Sequence, residues 1–136
     1  MPLLEQVLEK NTGKVKLVFK NFPLRRHKYA TKASMAALAA DKYGKFWKFH
    51  DQLFLEHDKL SDQKIREIAQ NLEINGEEFE KMMKNPKILA KIQQDILDGR
   101  KAGVTGTPTV FVNGRRLKDW SPNGLQMLID KALEKM

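Results

Sequence analysis

Apolar residues recur at helical spacing at both ends of the chain. Near the start they are Leu3, Leu4, Val7 and Leu8, and Thr12-Gly13 ends the helix that they predict. Near the end, Ser121-Pro122 is typical of a helix start, since serine caps and proline occupies the first turn. The stripe that follows is Leu125, Leu128, Ile129, Ala132 and Leu133. Both termini are therefore predicted to be helical.

Five further helices are predicted in the middle of the chain. They are expected over 28–43, over 45–57, over 62–72, after Asn75, and from Pro86 to Gly103. Ser61 is a predicted N-cap, and Asn75 with Glu78 three residues later resembles a capping box. The aromatic residues Phe46, Trp47, Phe49 and Phe54 are expected to form the core of this helical region. Met82 and Met83 are expected to fill gaps in it.

Two stretches alternate as strands do. From Lys14 to Phe22, Val15, Leu17 and Phe19 share one face while lysines occupy the other, and Pro23 ends the run. Residues 108–112, an Asn113-Gly114 turn and residues 115–119 predict a hairpin. The resulting order is helix, strand, several helices, two strands, helix. It indicates a single α/β domain over 1–136 with an all-helical insertion at about 25–103.

Composition and charge exclude several classes of function but assign none. The chain has 136 residues, a net charge of +8 and no cysteine, and its mean hydropathy is −0.55. No apolar run approaches the roughly 20 residues of a membrane span. Basic charge without a recognition module does not predict nucleic-acid binding. No signal peptide precedes the first helix, so a chain complete as given would remain in the cytoplasm.

No cofactor and no metal site are expected. The three histidines are His27, His50 and His57, and the last two lie seven residues apart, about 10 Å along one helix. That separation is too large for a shared ion, and the chain has no thiol ligand. The acidic residues near the same helix alternate with lysines, as on a solvated face.

The segment Gly106-Thr107-Pro108-Thr109, followed by Phe111-Val112-Asn113-Gly114, resembles the cis-proline loop and strand of DsbA-like thioredoxin-fold proteins. Three other stretches match that family in order: Asn21-Phe22-Pro23-Leu24, the run from Gly44 to Phe54, and the last helix. The resemblance covers residues 1–136. It implies a thioredoxin-like α/β sheet with a helical insertion. It also implies that Gly106, Thr107, Pro108 and Thr109 bind a protein or peptide substrate.

The same resemblance implies that the catalytic part of the family's site is missing from this chain. Members of the family carry a first strand and a Cys-x-x-Cys motif ahead of the helix that residues 2–10 resemble. Disulfide exchange needs a thiolate, so no residue here is expected to be catalytic. The sequence is therefore interpreted as a thiol–disulfide oxidoreductase that is truncated at an internal methionine and inactive as written. The resemblance implies a periplasmic or other extracytoplasmic parent. The alternative is a redox-inactive module that binds peptides or proteins.

A sheet without that first strand leaves the predicted strands at 14–20 and 108–112 with open edges. They could pair directly with each other, or two copies of the chain could complete each other's sheet. The apolar first helix would otherwise cover a defective sheet, so a homodimer is expected.

Overall fold

The computed structural model describes residues 2–24 and 27–135. Within them the secondary structure consists of seven α-helices, one 3-10 turn at His57–Lys59 and one antiparallel pair of strands. The helices are α1 Pro2–Lys10, α2 Ala30–Asp41, α3 Phe46–Leu55, α4 Asp62–Asn71, α5 Gly76–Met83, α6 Pro86–Lys101 and α7 Pro122–Glu134. The strands are β1 Phe111–Val112 and β2 Arg115–Arg116. None of the described helices has the length and apolar character that crossing a membrane requires.

The chain divides into two compact units. Unit 1 consists of residues 1–19 and 104–136, and unit 2 is the continuous stretch 20–103. Unit 2 holds all the helices predicted for the insertion, although it begins about five residues earlier than expected. The single domain over 1–136 stays a prediction.

Unit 2 is built on the alanine face of α2. Ala36, Ala39 and Ala40 are fully buried, and small side chains allow α3, α5 and α6 to pack closely against this helix. The rings of Phe49 and Phe79 stack in the core with their centroids 5.7 Å apart. Met82 and Met83 pack against the same core, as predicted.

The helix starts follow the predicted capping chemistry. The Ser61 hydroxyl accepts a hydrogen bond from the Lys64 N–H at 3.0 Å, and the Asn75 side chain accepts one from the Glu78 N–H at 3.2 Å. Ser121 caps α7 in the same way, accepting from the Gly124 N–H at 3.0 Å. These N–H groups have no partner within their helix, so the caps determine where each helix begins.

The predicted aromatic core was wrong at two positions. Phe46 and Phe49 are buried, but Trp47 is 44% exposed and Phe54 is 59% exposed. Helix α3 packs against α2 and α4, and the buried positions 46, 49 and 53 follow the spacing of one helical face. Positions 47 and 54 fall outside that face, so their aromatic side chains reach solvent.

Unit 1 pairs the two ends of the chain. Val7 of α1 packs with Leu117, Leu125 and Ile129 in a small buried cluster. Beside it, the Asn11 side-chain amide donates to the Gln126 carbonyl oxygen at 2.7 Å, and Gln126 donates back at 3.0 Å. Asn11 is buried, so this reciprocal pair satisfies polar groups that would otherwise be costly.

The predicted strand at 14–22 was wrong. Among the described residues the sheet contains only β1 and β2, and residues 15–20 have no regular secondary structure. Leu17 and Phe19 are each 38% exposed and Val18 is 59% exposed. Alternating apolar and polar residues indicate a preference for extended backbone. A strand forms only where a neighbouring backbone supplies hydrogen-bond partners. In the described part of the chain, this segment and β1 are therefore not paired directly.

The hairpin was predicted correctly in kind, although both strands are shorter than expected. Phe111 faces Arg116 and Val112 faces Arg115, in place of strands at 108–112 and 115–119. Asn113 has φ +46° and Gly114 has φ +84°. Positive φ at both central residues is the geometry for which Asn-Gly pairs are selected in tight hairpins.

Candidate functional site

The four predicted site residues lie together in the loop that leads into β1. The Thr107–Pro108 peptide bond is cis. The Thr109 hydroxyl donates a hydrogen bond to the Gly106 carbonyl at 2.7 Å, which closes the loop on itself. Thr107 and Pro108 are exposed, whereas Gly106 and Thr109 are half-buried. The loop thus presents its two central residues to solvent and anchors its two ends.

The hairpin holds the C-terminal end of this loop. The Leu117 N–H donates to the Val110 carbonyl at 2.8 Å, which continues the pairing beyond β1. Val110 and Val112 pack against the buried cluster around Leu117. Proline at 108 has no N–H to donate, so strand pairing stops before it reaches the loop.

The loop has no ionisable chemistry of its own. Residues 104–114 contain no acidic, basic, histidine or thiol side chain. The first charged groups after it are Arg115 and Arg116, both exposed. The side chains of the loop therefore contribute hydroxyl and apolar groups but no charge.

Sequence reasoning missed a buried carboxylate in unit 2. Asp95 of α6 is 1% exposed. It accepts hydrogen bonds from the Asn21 backbone N–H at 2.9 Å and from the Asn21 side chain at 3.1 Å. The Lys91 ammonium donates to its other oxygen at 2.8 Å. The carboxylate therefore holds the start of the Asn21-Phe22-Pro23-Leu24 segment against α6.

The environment of Asp95 favours its charged form. Burial by itself would raise the pKa of this carboxyl, but the hydrogen bonds from Lys91 and Asn21 outweigh burial and hold the pKa below its ordinary value. One sequence signal could have revealed the site. Position 95 falls on the apolar stripe of α6 between Ile92 and Ile96, where a lone acid needs buried partners.

His50 and His57 contact residues of α3 that are close to them in sequence. His50 lies among the rings of Phe46, Trp47 and Phe54, with a centroid distance of 4.6 Å to Phe54. A His57 ring nitrogen lies 2.9 Å from the Phe54 carbonyl at the end of α3. In the part of the chain that the structure describes, no group of three or more histidine, aspartate or glutamate side chains could hold a metal ion.

Comparison with known proteins identifies the family. The sequence model of the family described as Thioredoxin matches residues 2–131. The chain belongs to the thioredoxin family. A solved thioredoxin-like oxidoreductase from Silicibacter pomeroyi is 25% identical with a TM-score of 0.83, over 98% of this chain and 77% of that one. The thiol–disulfide exchange protein α-DsbA2 from Wolbachia pipientis is 26% identical with a TM-score of 0.81, over 96% and 72% of the respective chains.

Curated relatives are longer than this thioredoxin-family chain. A probable disulfide bond formation protein D from Bacillus anthracis is 30% identical over 98% of this chain, which corresponds to 64% of the relative. A Na(+)/H(+) antiporter NhaA 3 from Salinispora tropica is 34% identical over 116 residues, which are 85% of this chain but 18% of the antiporter. These relatives and solved structures confirm the DsbA-like resemblance and the thioredoxin-like α/β class with a helical insertion.

Proposed function

We propose that this chain supplies the substrate-binding part of a DsbA-like thiol–disulfide oxidoreductase and is itself redox-inactive. The observation that carries the proposal is the exposed Thr107–Pro108 pair in a neutral loop directly ahead of β1. Relatives named for disulfide formation and disulfide exchange support the class of reaction. In this proposal Gly106 to Thr109 present backbone groups to an extended protein or peptide substrate.

The absence of cysteine sets the first test. Disulfide exchange proceeds by attack of a thiolate on a disulfide sulfur, and the 136-residue sequence contains no cysteine. The pure chain should therefore reduce insulin and oxidise a dithiol peptide no faster than buffer. Measurable catalysis by the mass-verified chain would contradict this part of the proposal.

Substrate binding is tested separately from chemistry. A carboxymethylated, unfolded model protein should shift the backbone amide NMR signals of residues 106, 107 and 109. Thr107→Arg should weaken that binding about tenfold, because a long charged side chain blocks strand addition at the loop. The matched control is Thr31→Arg, at an exposed position of α2. Equal affinity for the two variants, or unmoved loop signals, would remove the loop from the proposed site.

The cysteine-free sequence favours one second candidate, a binding module that holds peptides or a partner protein without redox chemistry. A chimera separates the two candidates. The first strand and Cys-x-x-Cys segment of a DsbA-like enzyme would be joined ahead of Pro2. Restored dithiol oxidation that falls with Thr107→Arg would support the oxidoreductase. A folded but inactive chimera would favour the binding module.

The proposal also includes the cellular compartment in which the parent protein acts. Disulfides persist in oxidising compartments such as the bacterial periplasm, so the parent protein is proposed to act outside the cytoplasm. Cell fractionation with an antibody against this chain would test that placement. Recovery with cytoplasmic markers alone would contradict it.

A further inference from the structure

The side chains of the candidate loop carry no charge, so any preference for charged substrates must come from neighbouring residues. The stretch 104–118 contains three basic side chains, Arg115, Arg116 and Lys118, and no aspartate or glutamate. All three are exposed. Among the described residues, none of the three forms an ion pair with a carboxylate. The hairpin therefore presents positive charge that no nearby acid neutralises.

The register of the hairpin determines which of these cations is nearest to the loop. The pairing continues past β2, where the Leu117 N–H donates to the Val110 carbonyl at 2.8 Å. One residue further, the same register places Lys118 opposite Thr109. Opposite residues of an antiparallel pair have Cα atoms about 5 Å apart. Arg116 lies two residues before Lys118, about 7 Å farther from the loop along the strand, so Lys118 is the cation closest to the candidate site.

Lys118 lies on the outer face of the hairpin. Leu117 is 3% exposed and belongs to the buried cluster of unit 1. Successive side chains of a strand point to opposite faces, so Lys118 lies on the face opposite to Leu117. The next acid along the chain is Asp119, whose carboxylate accepts a hydrogen bond from the Ser121 N–H at 3.0 Å. That carboxylate stabilises the start of α7 and leaves the Lys118 ammonium available to a substrate.

The position of Lys118 is independent of any strand ahead of α1. Strand β2 occupies one edge of β1, so a further strand that joined β1 could take only its other edge. Lys118 follows β2 and therefore lies on the side of the hairpin away from that edge. The first strand that the family carries would leave this cation exposed beside the loop.

We propose that Lys118 is a specificity-determining residue of the candidate site. It selects extended substrate segments that carry an acidic side chain next to the residues bound at Thr107–Thr109. This inference rests on the proposed function, because it needs a substrate to lie along the loop. The substrate carboxylate pairs with the Lys118 ammonium. Arg115 and Arg116 lie farther away and attract acidic segments through their longer-range field.

The test uses valine–serine peptides that differ only in a central glutamate, glutamine or lysine. Their affinities are measured by amide NMR titration of the full 136-residue chain. At low salt the glutamate peptide should bind about fivefold more tightly than the glutamine peptide, and the lysine peptide about fivefold more weakly. Added salt should reduce both differences, because it screens interactions between exposed charges.

A matched pair of charge reversals locates the preference. Lys118→Glu should weaken binding of the glutamate peptide at least about fivefold and strengthen binding of the lysine peptide, so that the order of the two is reversed. Lys131→Glu makes the same change in net charge at an exposed position of α7 and should leave the order unchanged. Lys118→Arg keeps the charge and should keep the preference. A purely structural role for Lys118 would not exchange the preferred peptide.

The glutamine peptide separates this inference from the proposed function. If it does not bind, or if Thr107→Arg binds it as tightly as wild type does, the proposed function fails and this inference fails with it. If Thr107→Arg weakens its binding but the three peptides bind the wild type equally, only the role of Lys118 is overturned. Equal effects of Lys118→Glu and Lys131→Glu would overturn that role too. A single-stranded oligonucleotide that binds as tightly as the glutamate peptide, and loses binding with Lys118→Glu, would assign this cation to nucleic acid instead.

Discussion

Replacing Asp95 with asparagine should lower the free energy of unfolding of unit 2 by about 2 kcal/mol at pH 7. The carboxylate accepts two hydrogen bonds from Asn21, whose own exposure is 3%. Hydrogen bonds to charged groups contribute about 1.5–3 kcal/mol and neutral ones about 0.5–1.5 kcal/mol, so each of the two loses about 1 kcal/mol. The Lys91 side chain is half-exposed and regains water when its partner is neutral.

The assay is urea unfolding followed by Trp47 fluorescence in a Trp120→Phe background, so that the signal comes from unit 2 alone. The linear extrapolation gives the free energy for each variant. Asp98→Asn is the matched control. Asp98 lies on the same helix but is exposed, so its replacement should change the free energy by less than about 0.5 kcal/mol.

The pH dependence has a defined sign. Hydrogen bonding holds the pKa of folded Asp95 below the ordinary carboxyl value, which is about 3.9 in an unfolded chain. A lowered pKa adds stability that is present above the unfolded value and lost as pH falls through the folded one. The gap between wild type and Asp95→Asn should therefore persist from pH 7 to pH 5 and shrink toward pH 3. An unchanged free energy at pH 7, or a gap that stays constant down to pH 3, would refute the reasoning.

Three further predictions concern unit 1, capping and assembly. Gly124→Ala should destabilise the chain by about 2 kcal/mol, because a Cβ at position 124 would lie 2.3 Å from the Asp119 carbonyl oxygen. The control is Gly76→Ala, whose Cβ would meet nothing within 4 Å and should not destabilise the chain. Thermal melts compare the two variants. Ser121→Ala should cost about 1 kcal/mol by loss of the α7 cap, and equal melting temperatures for wild type and variant would contradict it. The homodimer that the sequence predicts should give about twice the 15.7 kDa chain mass in light scattering at micromolar concentration. A clean monomer would refute that homodimer.

Local chemistry was predictable from the sequence. Ser61, Asn75 and Ser121 cap helices because each bonds an N–H three residues ahead, an interaction contained in four residues. The Asn113-Gly114 turn followed from the φ values that such a pair tolerates. The order of helices and the loop at Gly106–Thr109 were accessible for the same reason, since each depends on a short stretch of chain.

Features that need a distant partner were not predictable in the same way. The acid at Asp95 is stabilised by Asn21, which is 74 residues away in sequence. The alternation at 14–22 predicted a strand, but it carried no information on whether a second backbone lies beside it. Phe54 belongs to an apolar stretch, yet its exposure depends on which neighbours α3 acquires.

The division of the chain into one continuous and one discontinuous unit has a consequence for its synthesis. Unit 2 is continuous in sequence, so its helices can assemble as soon as residue 103 has left the ribosome and need no residue after it. Unit 1 must wait, because Asn11 and its partner Gln126 are separated by 115 positions. Helix α1 is made well before α7, so its apolar face stays available to chaperones until α7 leaves the exit tunnel.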